Sequence, residues 1–324
     1  MDENGRGING MKEFGMGYDD ASGKQAILTR RGLLGGIAAT LAAPSFAHAF
    51  DVPAEPRLLH HDYMKMRERF RTRLLQKGPA PDKYEPLTAP AGANRIFYRS
   101  GRGGELTLAA WVSSYKRERK LKPAVLFLHG GNAMGAGQWE PLKGYADAGY
   151  VVMMPSMRGE NGQMGIFSGF YDEVDDVLAA ADRLAHLPGV DRERVFLAGH
   201  SIGGTLAMLA AMSTHRFRAS VPISGNPNAF RFFNRYPEDI RFDDSRPHEF
   251  EVRSAVCYAH SFKCPVKLLH AETETSFEDN AALLIKRARA ANAIISSQEV
   301  EGNHTSEIPH AVEASMQFFH QVAA

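Results

Sequence analysis

The sequence predicts an α/β fold in which a mostly parallel central sheet is covered by helices on both faces. Short apolar runs of strand length alternate with helical segments from residue 94 onwards. The run Ala124–Leu128 is apolar throughout, as expected of a strand that is buried on both faces. A glycine-rich turn, Gly199–Gly203, joins one such run directly to a helix. Strands that alternate with helices indicate crossover connections, and therefore parallel pairing.

An N-terminal arm and linker over residues 50–93 are expected before this sheet. Asp62–Leu75 is predicted to be helical because Met66, Phe70 and Leu74 recur on one helical face. Lys77–Gly92 is rich in proline and predicts a surface linker.

The domain over residues 94–324 then follows, beginning with a hairpin of two strands. Strands are predicted over Arg95–Tyr98, Leu106–Ser113, Ala124–Leu128, Tyr150–Met154, Arg194–Ala198, Ala219–Ile223, Pro265–His270 and Ile294–Val300. Helices are predicted over Trp139–Ala148, Phe170–Leu187, Gly204–Met212, Glu278–Ala291 and Ala311–Val322.

The segment 226–262 interrupts the alternation of strands and helices between two strands of the sheet. We expect it to form a cap over the carboxyl end of the sheet, the alternative being an excursion packed against the side of the domain.

The composition is that of an ordinary globular protein. The chain has 324 residues, of which 44% are hydrophobic, and its net charge of +1 offers no electrostatic reason to expect nucleic acid as a partner. Two cysteines, Cys257 and Cys264, are too few for a typical four-ligand zinc site and leave a disulfide open. No metal and no cofactor are predicted.

The first 49 residues have the pattern of an export signal. Arg30 and Arg31 precede the apolar run Leu33–Pro44, and Ala47–Ala49 is a small-x-small site suited to signal peptidase. We therefore expect residues 1–49 to be a cleaved twin-arginine-type signal, with the twin-arginine export machinery as a partner. The mature protein would be periplasmic or secreted. The apolar run is too short to be a stable membrane anchor, which needs about 20 residues.

The turn Gly199-His200-Ser201-Ile202-Gly203 predicts the nucleophile. A G-x-S-x-G between a strand and a helix is the nucleophile elbow of the α/β-hydrolase fold, so this fold is the predicted architecture. Glycines two residues either side of Ser201 allow the close backbone approach that the turn requires. His200 is expected to pack beside the strand and to point away from the nucleophile.

A serine nucleophile needs a base and an acid that orients the base. In the α/β-hydrolase fold these residues follow one another along the chain in the order serine, acid, histidine. His304 follows the last predicted strand and is preferred to His310, which begins the final helix. Glu274 follows the strand before, and Glu272 on the same loop is the alternative acid. The predicted triad is therefore Ser201, Glu274 and His304.

Two backbone N–H groups are expected to form the oxyanion hole. One belongs to Ile202, at the N-terminus of the helix that follows the serine. The other belongs to Gly131 in the turn after a central strand, with Gly130 as the alternative. His129 in the same turn is interpreted as structural.

Four motifs together resemble the catalytic domain of the prolyl oligopeptidase family and the related dienelactone-hydrolase-like esterases. They are His129–Gly131, Arg158–Gly162, Val190–Val195 and Gly199–Gly204. The resemblance covers roughly residues 95–322, and it implies the same triad of Ser201, Glu274 and His304. The family normally has aspartate where this chain has Glu274. Its peptidases also carry a large β-propeller, for which the roughly 45 residues after the signal leave no room.

These features predict a serine hydrolase that cleaves a carboxylic ester through an acyl-enzyme. A small peptidase acting on short peptides or acyl-amino acids is the alternative enzyme. A non-catalytic binding protein with the same fold is the alternative from another class.

Overall fold

The computed structural model describes residues 50–117 and 119–323, with only the backbone for residues 275–279. The predicted export signal over residues 1–49 lies outside these ranges. Within them, no helix has both the length and the apolar character needed to cross a membrane.

One sheet organises the described chain. Its strands are β1 (Ala93–Ser100), β2 (Leu106–Ser113), β3 (Lys122–Leu128), β4 (Val151–Pro155), β5 (Val190–His200), β6 (Ser220–Ile223), β7 (Val266–Ala271) and β8 (Ile295–Val300). Their spatial order is β1-β2-β4-β3-β5-β6-β7-β8. The pairs β1–β2 and β2–β4 are antiparallel, whereas every later pair is parallel. The predicted fold class is confirmed.

The parallel strands place the functional loops at one edge. β3 and β5 are neighbours in register, with Ala124 opposite Val195 and Leu128 opposite Gly199. Both strands are fully buried over this stretch because helices cover both sheet faces. Since the two strands end together, the turn after Leu128 meets the turn at Ser201.

Nine helices flank the sheet in the described ranges. They are α1 (Tyr63–Arg69), α2 (Ala136–Trp139), α3 (Lys143–Asp147), α4 (Glu173–Ala185), α5 (Ile202–Ser213), α6 (Ala229–Arg235), α7 (Pro247–Glu251), α8 (Thr275–Ala290) and α9 (Ile308–Ala323). Short 3-10 helices cover Glu140–Leu142, Pro237–Asp239 and Ala255–Ser261. Helix α5 is buried along its whole length, which suits the core element that carries the elbow.

Two predicted helices are shorter than their patterns suggested. The segment predicted over Trp139–Ala148 is divided into α2, a 3-10 turn and α3, with Pro141 inside the 3-10 turn. Proline has no backbone N–H and clashes with the preceding turn, so one continuous helix was the wrong expectation.

The predicted helix over Asp62–Leu75 ends at Arg69. The Thr72 hydroxyl and the Arg73 N–H both donate to the carboxylate of Glu249, each at 2.8 Å. Leu74 then forms an isolated antiparallel bridge with Phe242. These tertiary hydrogen bonds satisfy the backbone outside a helix, and the apolar spacing of Phe70 and Leu74 could not reveal them.

The insertion 226–262 contacts loops at the carboxyl end of the sheet. Arg253 is fully buried, forms an ion pair with Glu249 at 2.8 Å, and donates to the carbonyls of Ser168 and Gly169 beyond β4. Asp239 accepts a hydrogen bond from the side-chain amide of Asn132, beyond β3, at 3.1 Å. The insertion thus contacts the loops that follow β3 and β4.

Both cysteines, Cys257 and Cys264, are free thiols. Burial raises the pKa of each to about 12, so neither carries an appreciable thiolate fraction at neutral pH.

Candidate active site

The elbow holds Ser201 in a strained conformation between β5 and α5. Its φ angle is +56°, in the left-handed region that residues other than glycine rarely adopt. A side chain at Gly199 would overlap the backbone of Gly203, and one at Gly203 would overlap the carbonyl oxygen of Leu128. The two glycines are therefore required by the close approach of the elbow to β3.

A chain of hydrogen bonds joins the three residues predicted as the triad. His304 Nε2 lies 3.0 Å from Ser201 Oγ, and His304 Nδ1 lies 2.6 Å from Glu274 Oε1. Because a carboxylate accepts, Nδ1 carries the ring proton and Nε2 is left to accept from the serine hydroxyl. This is the tautomer in which an imidazole can act as a base toward serine.

Glu274 is ionised by its surroundings despite being mostly buried. Burial raises the pKa of this carboxyl, but hydrogen bonds from His304 and Ser224 outweigh burial and hold the pKa below its ordinary value. Ser224 follows β6 with a φ of +48°. Sequence reasoning missed Ser224, since no motif marks a residue that supports the acid from a neighbouring strand.

The alternative residues lie away from this chain of hydrogen bonds. Glu272 is exposed, and among the described residues its carboxylate accepts only a 3.5 Å hydrogen bond from the Gly302 N–H. His310 is exposed on α9.

The turn after β3 lies against the nucleophile. A Cβ at Gly130 would lie 3.3 Å from the Ser201 Cβ, and Gly131 has a φ of +68°. Ile202 begins α5, so its N–H has no acceptor one turn back in the helix. The two predicted oxyanion donors therefore lie on the segments that flank Ser201.

Residues of the Arg158–Gly162 motif clamp the turn after β3. Glu160 binds the His129 ring at 3.0 Å and also accepts from the Met157 N–H. Asn161 accepts from the Met134 N–H at 2.7 Å and donates to the Met134 carbonyl at 2.9 Å. Burial lowers the pKa of His129, but the charge and the hydrogen bond of Glu160 outweigh burial. The pKa of His129 is therefore raised above its ordinary value. His129 is thus part of the clamp, in keeping with its structural interpretation.

Asn132 links this turn to the arm and to the insertion. Its backbone N–H donates to Asp82 at 2.7 Å, and its side-chain amide donates to Asp239. Burial raises the pKa of Asp239 to about 7, opposed by Asn132 and reinforced by the charge of Asp82. Neither aspartate was singled out by the sequence, because their partners lie 50 and 107 positions away.

One side-chain cluster in the described ranges has the composition of a metal site. His200, His304 and Glu307 bring possible ligand atoms within 4.8 Å of one another. Both ring nitrogens of His304 are already engaged by Ser201 and Glu274. A metal ion there would have to displace those hydrogen bonds, so the cluster fits a hydrogen-bonded network better.

Comparison with known sequences adds a family match over more than half of the chain. The family model for the prolyl oligopeptidase family, Peptidase_S9, matches residues 139–322. The uncharacterized peptidase YtmA of Bacillus subtilis is 25% identical over 171 residues, 50% of this chain and 66% of the relative. The uncharacterized peptidase YuxL of the same organism is 28% identical over 171 residues, 47% of this chain and 26% of the relative. The match thus spans less than two thirds of either relative.

Solved structures show the same fold at low identity. An acylaminoacyl peptidase from Pyrococcus horikoshii has a TM-score of 0.61 at 18% identity, over 70% of this chain and 41% of that one. A puromycin-hydrolyzing peptidase of Mycobacterium tuberculosis has a TM-score of 0.60 at 20% identity, over 73% and 40%. A putative dienelactone hydrolase from Klebsiella pneumoniae has a TM-score of 0.53 at 16% identity, over 71% and 99%.

Proposed function

Since the chain belongs to the prolyl oligopeptidase family of serine hydrolases, we propose that Ser201 is its nucleophile, His304 its general base and Glu274 the acid that orients the base. The observation that carries this proposal is the continuous chain of hydrogen bonds from Ser201 through His304 to Glu274. The same chain argues against a non-catalytic binding protein, which would have no need of an aligned base and acid.

The reaction follows from that geometry. Ser201 Oγ attacks the acyl carbon while His304 Nε2 takes the hydroxyl proton, and Glu274 stabilises the resulting imidazolium. In this proposal the N–H groups of Ile202 and Gly131 bind the oxyanion. His304 then donates its proton to the leaving oxygen or nitrogen, leaving an acyl-enzyme. Water then attacks the acyl carbon while His304 takes a proton from it. The bond between the acyl carbon and Ser201 Oγ breaks, His304 returns the proton to Oγ, and the carboxylic acid leaves.

The substrate we propose is a small carboxylic ester, bound beneath the insertion 226–262 acting as a cap. Support for the cap comes from the contact of Asp239 with Asn132, next to the turn that carries Gly131. A short peptide or acyl-amino acid is the second candidate, because the matching family and both curated relatives carry peptidase names.

One pair of substrates separates the two candidates. A p-nitrophenyl ester and the p-nitroanilide of the same acyl group differ only in the bond that is cleaved. An esterase turns over the ester alone, whereas a peptidase also cleaves the anilide with a kcat/KM that responds to the acyl group.

Labelling with a fluorophosphonate tests the nucleophile. Mass spectrometry should place the adduct on Ser201, and Ser201→Ala should lose labelling and turnover by up to about 10⁶-fold in kcat. Labelling of a different serine, or a native protein that neither reacts nor turns over any ester or amide, would refute the proposal.

We also propose that residues 1–49 direct export through the twin-arginine route and are removed, giving a periplasmic or secreted enzyme without a stable membrane anchor. The support is the Arg30–Arg31 pair, the short apolar run and the small-x-small site at Ala47–Ala49.

A further inference from the structure

We infer that His200 and Glu307 are positioning residues that hold the loop of His304 against the nucleophile elbow. This inference rests on the proposed function, because it gives the two residues a role in aligning the proposed base. It assigns a role to His200 that differs from simple packing beside the strand.

The first observation is the hydrogen bond from His200 to the His304 loop. His200 Nε2 lies 2.6 Å from the main-chain carbonyl oxygen of His304. A carbonyl oxygen only accepts, so Nε2 carries the proton and donates it. His200, which directly precedes Ser201, therefore binds the backbone of His304, the proposed base.

The second observation is a buried carboxylate directed at the same nitrogen. Glu307 Oε1 lies 3.4 Å from His200 Nε2, and the Glu307 side chain is 0% exposed. Neither of its carboxylate oxygens has a hydrogen-bond partner within the described residues. A buried carboxyl group without a hydrogen bond is costly, and among the described residues His200 Nε2, at 3.4 Å, is the polar group directed at it.

The third observation is that Glu307 closes the turn that carries His304. The Glu307 N–H donates to the Asn303 carbonyl at 2.9 Å, and the Glu307 carbonyl accepts from Ala311 at the start of α9. The His304 carbonyl thus holds the proton on His200 Nε2, while the Glu307 backbone fixes the turn that His200 binds.

His200 also meets the turn after β3. A Cβ at Gly130 would lie only 2.8 Å from His200 Nδ1, so the ring fills the space that this glycine leaves. The His200 and His304 rings are 4.7 Å apart at their centroids. The His200 side chain therefore contacts both the turn after β3 and the loop of His304, and it directly precedes Ser201 in the chain.

Removing the His200 donor should let the loop of His304 shift while leaving His304 itself in place. A displacement of about 1 Å from a productive geometry can cost about 10²-fold in rate. His200→Leu should therefore lower kcat by about 10²-fold while KM changes by less than about threefold, the pattern of a lost transition-state interaction.

His200→Gln is the rescue variant. Its amide nitrogen takes the approximate place of Nε2 and retains a donor toward the His304 carbonyl. We expect kcat within about tenfold of the native enzyme. Glu307→Gln should lower kcat by an intermediate factor, and Glu301→Gln, an exposed glutamate on the same loop, is the control that should leave kcat unchanged.

The double variant His200→Leu/Glu307→Leu guards against a mere folding defect, since it removes the buried carboxylate together with its partner. The double variant should fold, which a cooperative melting transition in circular dichroism would show. Its kcat should stay as low as that of His200→Leu. Recovery of kcat in the double variant would overturn the inference, since the loss would then come from an unpaired charge. Equal kcat values for His200→Leu and the native enzyme would also overturn it.

Fluorophosphonate labelling of the native protein keeps this inference separate from the proposed function. If native Ser201 is labelled and turns over substrate but the His200 variants are unaffected, only the positioning role fails. If native Ser201 is neither labelled nor active, the proposed function itself fails.

Discussion

At the scale of single residues, the proposed acid is Glu274, at a position where the resemblance to the family implies aspartate. Glutamate has one methylene more than aspartate, yet Glu274 reaches His304 Nδ1 at 2.6 Å. Its second oxygen is held by the Ser224 hydroxyl. The longer side chain is accommodated because a neighbouring strand supplies a donor that fixes its far end.

Glu274→Gln should lower kcat by about 10²–10⁴-fold with little effect on KM, because an amide neither selects the productive tautomer nor stabilises the imidazolium. Steady-state kinetics on a p-nitrophenyl ester measure the effect. Glu272→Gln is the matched control on the same loop and should leave kcat unchanged. A strong loss in the Glu272 variant alone would move the acid to that position.

At the scale of elements, the loop after β4 sets the shape of the turn after β3. Asn161 holds Met134 through its side chain and adopts a φ of +47°. Glu160 and Asn161 of the Arg158–Gly162 motif therefore hold the turn after β3 in place.

Two substitutions distinguish the contribution of the Asn161 side chain to stability from that of its backbone conformation. Asn161→Gly keeps the positive φ at no steric cost and should lower the free energy of unfolding by about 1–3 kcal/mol, since it leaves buried partners unpaired. Asn161→Ala should cost about 1 kcal/mol more because alanine is strained there.

Urea denaturation measures both Asn161 variants, and kcat should fall in both. A stability equal to that of the native protein would show that the clamp contributes nothing.

At the scale of the whole molecule, buried acids make stability depend on pH. Burial raises the pKa of Glu173 and of Asp239 to about 7 each. A carboxyl whose pKa is higher in the folded state binds more protons folded than unfolded, so its stabilisation is present at low pH and is lost as pH rises through the folded pKa. The raised pKa of His129 acts in the same direction.

The free energy of unfolding should therefore fall between pH 5 and pH 8, by about 2 kcal/mol for each buried carboxyl. Urea denaturation at the two pH values measures this. Glu173→Gln and Asp239→Asn should each flatten the dependence. Asp191→Asn is the control, because the pKa of Asp191 is held below its ordinary value by Arg194 and it titrates below this window. A flat profile for the native protein would contradict the expectation.

The proposed export signal also gives a prediction at the scale of the whole chain. Arg30→Lys with Arg31→Lys should keep the protein in the cytoplasm at full length, because the export route reads the arginine pair. Arg6→Lys, in the same leader, is the control and should export normally. N-terminal sequencing of the exported protein should begin at Phe50. Export that survives loss of both arginines would argue against the twin-arginine route.

The sequence by itself determined the α/β architecture, the serine hydrolase family and the residues that the structure joins at Ser201, His304 and Glu274. These follow from local constraints. Apolar runs mark strands buried on both faces, and only glycine fits two residues either side of the serine in so tight a turn. Strand β2 has the predicted bounds Leu106–Ser113, and the other strands agree within a few residues.

Only the tertiary structure decided which residues support that site. Ser224 reaches Glu274 across 50 positions, and His200 reaches His304 across 104. The C-terminal end of α1 was likewise set by hydrogen bonds to Glu249, 176 positions from Arg73. Periodicity and turn chemistry describe neighbours in the chain, whereas these contacts exist only once the sheet has brought distant loops to one edge.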